Sequence, residues 1–475
     1  MKQLTSGAAL VAGPLIFIYT LVSTPLFEGM AQPAWIIAGL MIWMAIWWMT
    51  EVISIPATAM LPIVIIPLLG LDSAKAVTSA YADPVIFLFL GGFVISIAME
   101  RWNLHKRIAL LAMLTVGSKP SQQLAGIMAV TAFLSMWMSN TATAVMMLPI
   151  GLSIIAMQQQ NAQSDNFSKA ILLSIAYAAS IGGVATIIGT PPNILLAAYL
   201  KNTYNLEIGF GTWMLFGVPL AISMLILCWL WLTKFYKLNT IEATDSRKLY
   251  SSKLAELGKM HNAERVVLVI FGSAAFCWIF RSYLVQFTGL PFDDTIIAIT
   301  AALLLFILPV GFKTSQKVLN WDDTKKLPWG VLLLFGGGLA LAAQIQKSGL
   351  SDYIAQQVGM MGNVDILLLV IVVTTIIIFL TEITSNTATA ATFLPLLGPV
   401  AVSLDTSAAM LVIPAAVAAS FAFMLPVATP PNAIVFGAGK LKIADMAKAG
   451  LFLNLTGIVL IVAFTMLLAR NLFHF

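Results

Sequence analysis

The string SNTATA occurs twice in this chain, at Ser139–Ala144 and at Ser385–Ala390, each inside a long apolar stretch. Serine, asparagine and threonine offer the backbone local hydrogen bonds that compete with helix continuation. Each string therefore reads as a polar break in an apolar helix. Ten residues on, each is followed by a proline, Pro149 and Pro395, and later by a second matched break, GTPPN at Gly189–Asn193 and ATPPN at Ala428–Asn432. A chain with two breaks repeated in the same order is a duplicated unit.

The 475 residues are 60% hydrophobic and 9% charged, with a mean hydropathy of +0.95, whereas soluble domains carry about 25% charged residues. This is the composition of an all-α polytopic membrane protein. Apolar runs near the ~20 residues that a bilayer crossing requires predict eleven transmembrane helices between residues 8 and 470. Two further apolar pairs, 121–158 and 363–402, carry the SNT strings at their centres and read as re-entrant hairpins. Irregular backbone at membrane depth is tolerated only where protein or a wet cavity surrounds it, so the SNT tips are expected to face a site.

Lys and Arg concentrate in cytoplasmic loops. With the amino terminus inside, eleven spans place twenty of the twenty-five basic residues in cytoplasmic segments. Only Lys75, Lys201, Arg281, Lys347 and Arg470 fall outside, so the carboxyl end is expected on the far side, in a bacterial inner membrane. That asymmetry accounts for the net charge of +5. No basic run interleaved with aromatics points to nucleic acid. Cys228 and Cys277 lie in apolar spans and read as small hydrophobes. The first apolar stretch lacks a small-residue cleavage site and reads as a retained helix.

One register links the two copies. FLFLGGFVISIAMERWNLHKRIAL and LLLFGGGLALAAQIQKSGLSDYIAQQV both end in a shorter amphipathic stretch; Gly91 is paired with Gly336, 245 residues apart, and the SNT strings are 246 apart. A seven-residue deletion then separates the PPN breaks. The expected organisation is a preliminary helix (1–34), a first repeat (35–235), a cytoplasmic linker (236–264) and a second repeat (265–475). Five spans per repeat, an odd number, force the second copy to insert upside down. In transporters with inverted-topology repeats the site lies near the midplane, at interrupted helices in matching positions.

Broken helices expose carbonyl oxygens on one side and amides on the other. Carbonyl and side-chain oxygens suit a hard cation such as Na⁺, while a helix start carries about half a positive charge and attracts carboxylate. The pairs Pro191/Pro192 and Pro430/Pro431 remove amide donors and leave the carbonyls near Gly189 and Ala428 exposed. No lysine or arginine stands between Lys119 and Asp165, or between Glu382 and Asp405. A multivalent anion at that depth needs mobile countercharge, and coupled Na⁺ is the simplest supplier.

With SNT twice, GTPPN, ATPPN and the early stretch WWMTEVISIPATAMLPI at Trp47–Ile63, the chain resembles the divalent anion/sodium symporters, the dicarboxylate and citrate carriers that include bacterial INDY-type proteins. The resemblance covers nearly the whole chain. It implies a homodimer, a scaffold and a moving transport domain, and elevator-type alternating access. It further implies one sodium site at Ser135, Ser139, Asn140 and the Gly189 carbonyl, and a second at Thr381, Thr384, Asn386 and the Ala428 carbonyl. Substrate carboxylates would meet Asn140, Thr141, Asn386 and Thr387, with Thr190, Pro191, Thr429 and Pro430 as pocket wall. The expected function is sodium-coupled symport of C4 dicarboxylates (succinate, malate, fumarate), since the branched Thr190 takes room a tricarboxylate would want. The alternatives are a sodium-independent exchanger, or a sodium-coupled carrier of citrate or sulfate.

Other residues carry simpler readings. Glu382, where the first copy has Met136, is an intramembrane acid and so a functional candidate, with a structural hydrogen bond inside the hairpin as the favoured role. Glu51 reads as a helix-end or interdomain contact. The histidines His105, His261 and His474 lack acid partners at metal spacing, and the glycine pairs lack a P-loop lysine, so neither zinc chemistry nor nucleotide binding is expected. The chain reads as a carrier, not an enzyme, with no organic cofactor.

Overall fold

The computed structural model describes residues 2–158, 164–238, 247–311, 316–360 and 365–473. His474, residues 239–246 of the expected linker and the first two residues of the 363–402 segment lie outside these. Among the described residues the chain is helical, with one isolated bridge between Pro309 and Lys317.

Up to residue 235 the helices are α1 (Lys2–Val22), α2 (Gln32–Thr50), α3 (Ile55–Thr58), α4 (Leu61–Leu68), α5 (Ala74–Ser79), α6 (Pro84–Arg101), α7 (Leu104–Leu114), α8 (Pro120–Ser135), α9 (Asn140–Gln158), α10 (Ser164–Val184), α11 (Pro191–Tyr204) and α12 (Phe210–Phe235). After α13 (Arg247–Glu256) come α14 (Asn262–Ile279), α15 (Arg281–Thr288), α16 (Asp294–Ile307), α17 (Trp329–Lys347), α18 (Leu350–Gly359), α19 (Ile366–Thr381), α20 (Asn386–Ser403), α21 (Ala409–Ser420), α22 (Pro430–Phe436) and α23 (Ile443–Phe464). A π-helical turn, Thr465–Ala469, leads into the closing α24 (Arg470–Leu472).

Among the described residues eight helices are long and apolar enough to cross a membrane. Seven coincide with spans read from the sequence; the eighth, Asn140–Met157, is the second arm of the first SNT pair. The other expected spans appear as shorter apolar helices, for reasons visible in the chain. Pro56, Pro62 and Pro67 divide or crowd α3 and α4, and α21 stops at the unwound stretch before ATPPN.

α10 and α21, the helices that lead into the two PPN breaks, lie at the centre; 94% of the α10 span and every residue of α21 are buried. Each break is followed by a short helix that crosses to the other copy: α11 packs on α20 and α21, and α22 packs on α9 and α10. The breaks are thereby clamped between both halves. Around this centre α6 packs on α16, α1 on α2, and α17 on α11 and α20.

In lipid, helices associate through close packing rather than through the hydrophobic effect, and small residues allow the approach. A methyl at Gly91 would lie 2.7 Å from the Ala298 carbonyl carbon and oxygen, and one at Gly337 would strike the Ala59 backbone. These equivalent environments correct the register: Gly91 corresponds to Gly337, at the same spacing as the SNT strings, whereas Gly336 faces Tyr81.

Ion pairs fasten two ends of the molecule. At one, Arg107 holds Glu264 bidentately, at 2.8 and 3.1 Å, and also donates to the Gly258 carbonyl, which ties α7 to α14; Arg101 pairs with Asp323. At the other, Asn202 donates to Asp83 (2.7 Å), Arg281 to Glu207 (3.1 Å) and the Phe210 amide to Asp294 (3.0 Å).

Candidate ion and substrate site

α8 ends at Ser135 and α9 restarts at Asn140; α19 ends at Thr381 and α20 restarts at Asn386. The unwound residues between them hold the two tips. The Ser139 hydroxyl accepts from the Ala142 amide (3.2 Å) and so caps the first restart.

Behind each tip three oxygens crowd around a single proton. The Ser135 hydroxyl lies 2.6 Å from Asn140 Oδ1 and 2.7 Å from the Ala179 carbonyl. Its counterpart, the Thr381 hydroxyl, lies 2.8 Å from Asn386 Oδ1 and 2.9 Å from the Ala419 carbonyl. A hydroxyl donates one hydrogen, so each trio has acceptor capacity in excess of its donors. That is the electronic requirement of a small cation held by neutral oxygens. In the first copy the Gly189 carbonyl joins the group: a methyl built on Gly183 would sit 2.5 Å from Asn140 Oδ1 and 3.1 Å from the Gly189 oxygen. Gly183 thus keeps open a cradle that a side chain would fill.

Both tips and both PPN breaks line one cavity of about 1140 Å³. It brings together Ser139, Asn140, Thr141, Gly189, Thr190 and Pro191 of the first copy with Thr384, Asn386, Thr387, Ala428, Thr429 and Pro430 of the second. Ser135 and Thr381 stand behind this wall, both fully buried. The exposed Glu51, Glu100 and Lys326 also line the cavity, so its lining carries a net charge of −1.

The four interruptions that the sequence singles out therefore converge on one space. The family described as "Sodium:sulfate symporter transmembrane region" matches residues 5–475. The chain belongs to that family. It is 43% identical over 467 residues to a protein named sodium-dependent dicarboxylate transporter SdcS from Staphylococcus saprophyticus, covering 95% of this chain and 89% of that one. It is also 43% identical over 468 residues to the protein of that name from Staphylococcus aureus strain USA300, at the same coverage. Among solved structures, the YdaH transporter of Alcanivorax borkumensis shares the fold with a TM-score of 0.59 and 14% identity, over 83% of this chain and 88% of that one.

Within this symporter-family fold, several side chains do work that the motifs alone did not reveal. Asn193 and Asn432, the last residues of the PPN breaks, turn back on the unwound segments. Asn193 Nδ2 donates to the Thr186 (2.8 Å) and Val184 (3.2 Å) carbonyls, and Asn432 Nδ2 to those of Leu425 (3.0 Å) and Ala422 (3.2 Å). Their occurrence in both copies was the available signal. Thr429 caps α22 by accepting from the Asn432 amide at 3.2 Å. Thr384 directs its hydroxyl into its own hairpin, 2.9 Å from the Leu380 carbonyl and 2.7 Å from the Thr389 hydroxyl, which leaves its backbone carbonyl as the group it can offer.

Glu382 bonds across the molecule rather than inside its hairpin. Its carboxylate accepts from the amides of Phe423 (2.7 Å), Met424 (2.9 Å) and Leu425 (3.0 Å), and from Asn454 Nδ2 (2.7 Å). The acid thus pins the unwound stretch that precedes ATPPN. In the first copy that task falls to Thr186, which donates to the Met136 carbonyl at 2.5 Å. Glu51 closes α2 in the left-handed region (φ 49). His261 caps α14 through the Ala263 amide.

Proposed function

We propose that this protein is a sodium-coupled symporter of C4 dicarboxylates such as succinate, malate and fumarate, working by alternating access. The single observation that carries this reading is the charge of the cavity. Its polar wall is neutral, its lining sums to −1, and a dianion enters such a space only with mobile cations, because an uncompensated charge at membrane depth costs several kcal/mol or more. On this reading the cations bind beside the two oxygen trios, with Ser135, Ser139, Asn140 and the Gly189 carbonyl holding one and Thr381, Asn386 and the Thr384 and Ala428 carbonyls the other; the surplus of acceptors over donors in each trio supports it. Asn140, Thr141, Asn386 and Thr387 then receive the carboxylates, with Thr190, Pro191, Thr429 and Pro430 as walls. The names of the 43% identical relatives support both sodium and dicarboxylate.

Binding is cooperative on this reading. Sodium orders the tips whose amides and hydroxyls hold carboxylate, and by linkage each ligand raises the affinity for the other by the same factor. Two Na⁺ cancel a dianion; a third makes transport electrogenic, worth about 2.3 kcal/mol per 100 mV.

The architecture that serves this function is eleven spans in two inverted repeats, 35–235 and 265–475, after a preliminary helix 1–34 and around the linker 236–264. The SNT pairs 121–158 and 363–402 enter as re-entrant hairpins. The hairpins, α10–α12 and α19–α24 form the moving body, an elevator against a scaffold of α1–α6, α14, α16 and α17, within a homodimer in the inner membrane. With the amino terminus cytoplasmic and the carboxyl terminus outside, Glu51, Glu100 and Lys326 face the cytoplasm, and this is an inward-open state.

Uptake of radiolabelled succinate into proteoliposomes tests the proposal, with and without a Na⁺ gradient and with malate, fumarate, citrate, sulfate and glutamate as competitors. Gradient-dependent uptake suppressed by malate and fumarate is the expected result. Uptake indifferent to Na⁺ would support an exchanger instead, and suppression by sulfate alone would change the cargo.

A further inference from the structure

The two copies share a register yet sit in opposite environments. With SNT residues 246 apart and PPN residues 239 apart, Ile188 corresponds to Val427, Trp137 to Ile383, Leu195 to Ile434, and Val145 to Ala391. Ile188 is 7% exposed and Val427 80%; Trp137 is 7% exposed and Ile383 67%. Leu195 and Ala391 are buried, whereas Ile434 is half-buried and Val145 is 55% exposed. In each of these four pairs one member is buried and its counterpart is more exposed.

Three of the buried members lie against a glycine. A methyl built on Gly92 would lie 3.4 Å from Ile188 Cδ1; one on Gly338 would lie 3.4 Å from Ala391 Cβ and 3.6 Å from Leu195 Cδ2. Gly92 and Gly338 are themselves 246 apart. Trp137 is covered instead by Phe271, edge to face at 5.2 Å, and by Phe210. Val427 and Ile383 line the large cavity with their apolar surface uncovered, an unfavourable disposition for large aliphatic groups in a wet space.

An inverted repeat accounts for this pattern. Where two like units are related by a two-fold axis in the membrane plane, exchange of their conformations yields the state open to the opposite side. We propose that Gly92 and Gly338 are alternating docking points for the two repeats. Ile188 on Gly92, with Leu195 and Ala391 on Gly338, holds the present state. Val427 on Gly338, with Ile434 and Val145 on Gly92, holds the oppositely open one. The inference rests on the inverted, alternating-access reading above and adds the residues that trade places.

Cysteine pairs in proteoliposomes decide it, in a background with the chain's two cysteines, Cys228 and Cys277, replaced by serine. A disulfide forms only where Cα atoms come within about 4.4–6.8 Å. The pair Gly92→Cys/Ile188→Cys reports the present state, and Gly338→Cys/Val427→Cys the proposed one. Both are expected to crosslink under copper phenanthroline, each lowering uptake at least tenfold, with recovery on reduction. A Gly338/Val427 double variant that transports but never crosslinks overturns the proposal. Where that variant is inactive before oxidation, Gly92→Cys/Val145→Cys, the mirror of the 3.4 Å approach of Gly338 to Ala391 Cβ, decides by the same criterion. Sodium dependence of the cysteine-free parent, measured alongside, separates failure of this inference from failure of the functional reading.

Discussion

The two SNT copies present nearly the same oxygens and anchor them differently. Around the first, Ser135 serves Asn140 and Ala179, Gly183 has no side chain to crowd Asn140 and the Gly189 carbonyl, and one hydroxyl, that of Thr186, secures the break to Met136. Around the second, Thr381 serves Asn386 and Ala419, and a buried carboxylate, Glu382, gathers three backbone amides and an asparagine. Ala422, whose carbonyl receives Asn432 as that of Gly183 approaches Asn193, carries a methyl where the first copy has none. The oxygen trio is thus the constrained part, and its support is free to differ. A carboxylate with four charge-assisted bonds makes a stiffer support than one hydroxyl.

The strongest attack on this equivalence is to remove a shared asparagine. Asn140→Ala and Asn386→Ala are each expected to reduce sodium-driven uptake to background in proteoliposomes while the protein still elutes as a folded species. Normal uptake in either would show that its trio is structural. Next in size, Gly183→Ala fills the first cradle and is expected to lower uptake at least tenfold, with a raised sodium requirement. The mirror change Ala422→Gly should stay within about twofold, and equal losses from the two would erase the asymmetry.

The anchors come third. Glu382→Gln replaces an acceptor-only group with one that also donates toward backbone amides, at a cost of roughly 1.5–3 kcal/mol. Thr186→Val removes a neutral bond worth about 1 kcal/mol. Thermal unfolding in detergent should rank them in that order, and the reverse order would contradict the account of the two supports. Thr381→Ser keeps the hydroxyl and is expected to change uptake least of the site variants.

The smallest effect lies outside the site. Burial holds the His105 ring, 3% exposed and 2.8 Å from the Met99 carbonyl, below its ordinary value of 6.5. The unfolded chain takes up a proton near 6.5 that the folded chain refuses, so stability is full above that pH and declines as pH falls below it. Melting at pH 7.5 and 5.5 should differ less in His105→Asn than in the parent.

What the sequence made legible was the part written as local chemistry. SNT, GTPPN and ATPPN are polar in an apolar background, and the structure gathers all four around one cavity. Long uninterrupted helices such as α12 and α17 were equally plain. Legibility failed where the deciding partner is remote in sequence. Glu382 was expected to bond inside its hairpin, but its partners are 41 to 72 residues away. The glycine pairing slipped by one residue because GGG offers no local mark of register, and only the backbones of Ala59 and Ala298 distinguish its members. Gly183 carries no motif at all; its role exists only once Asn140 and Gly189 are folded around it.

The central claim is that the dianion meets no lysine or arginine at the two SNT tips and binds only in company with Na⁺. Calorimetric titration of the detergent-purified protein with succinate, in NaCl and then in choline chloride at equal ionic strength, tests it most directly. Saturable binding in sodium that disappears in choline is the predicted result. Equal affinity in both salts would contradict it.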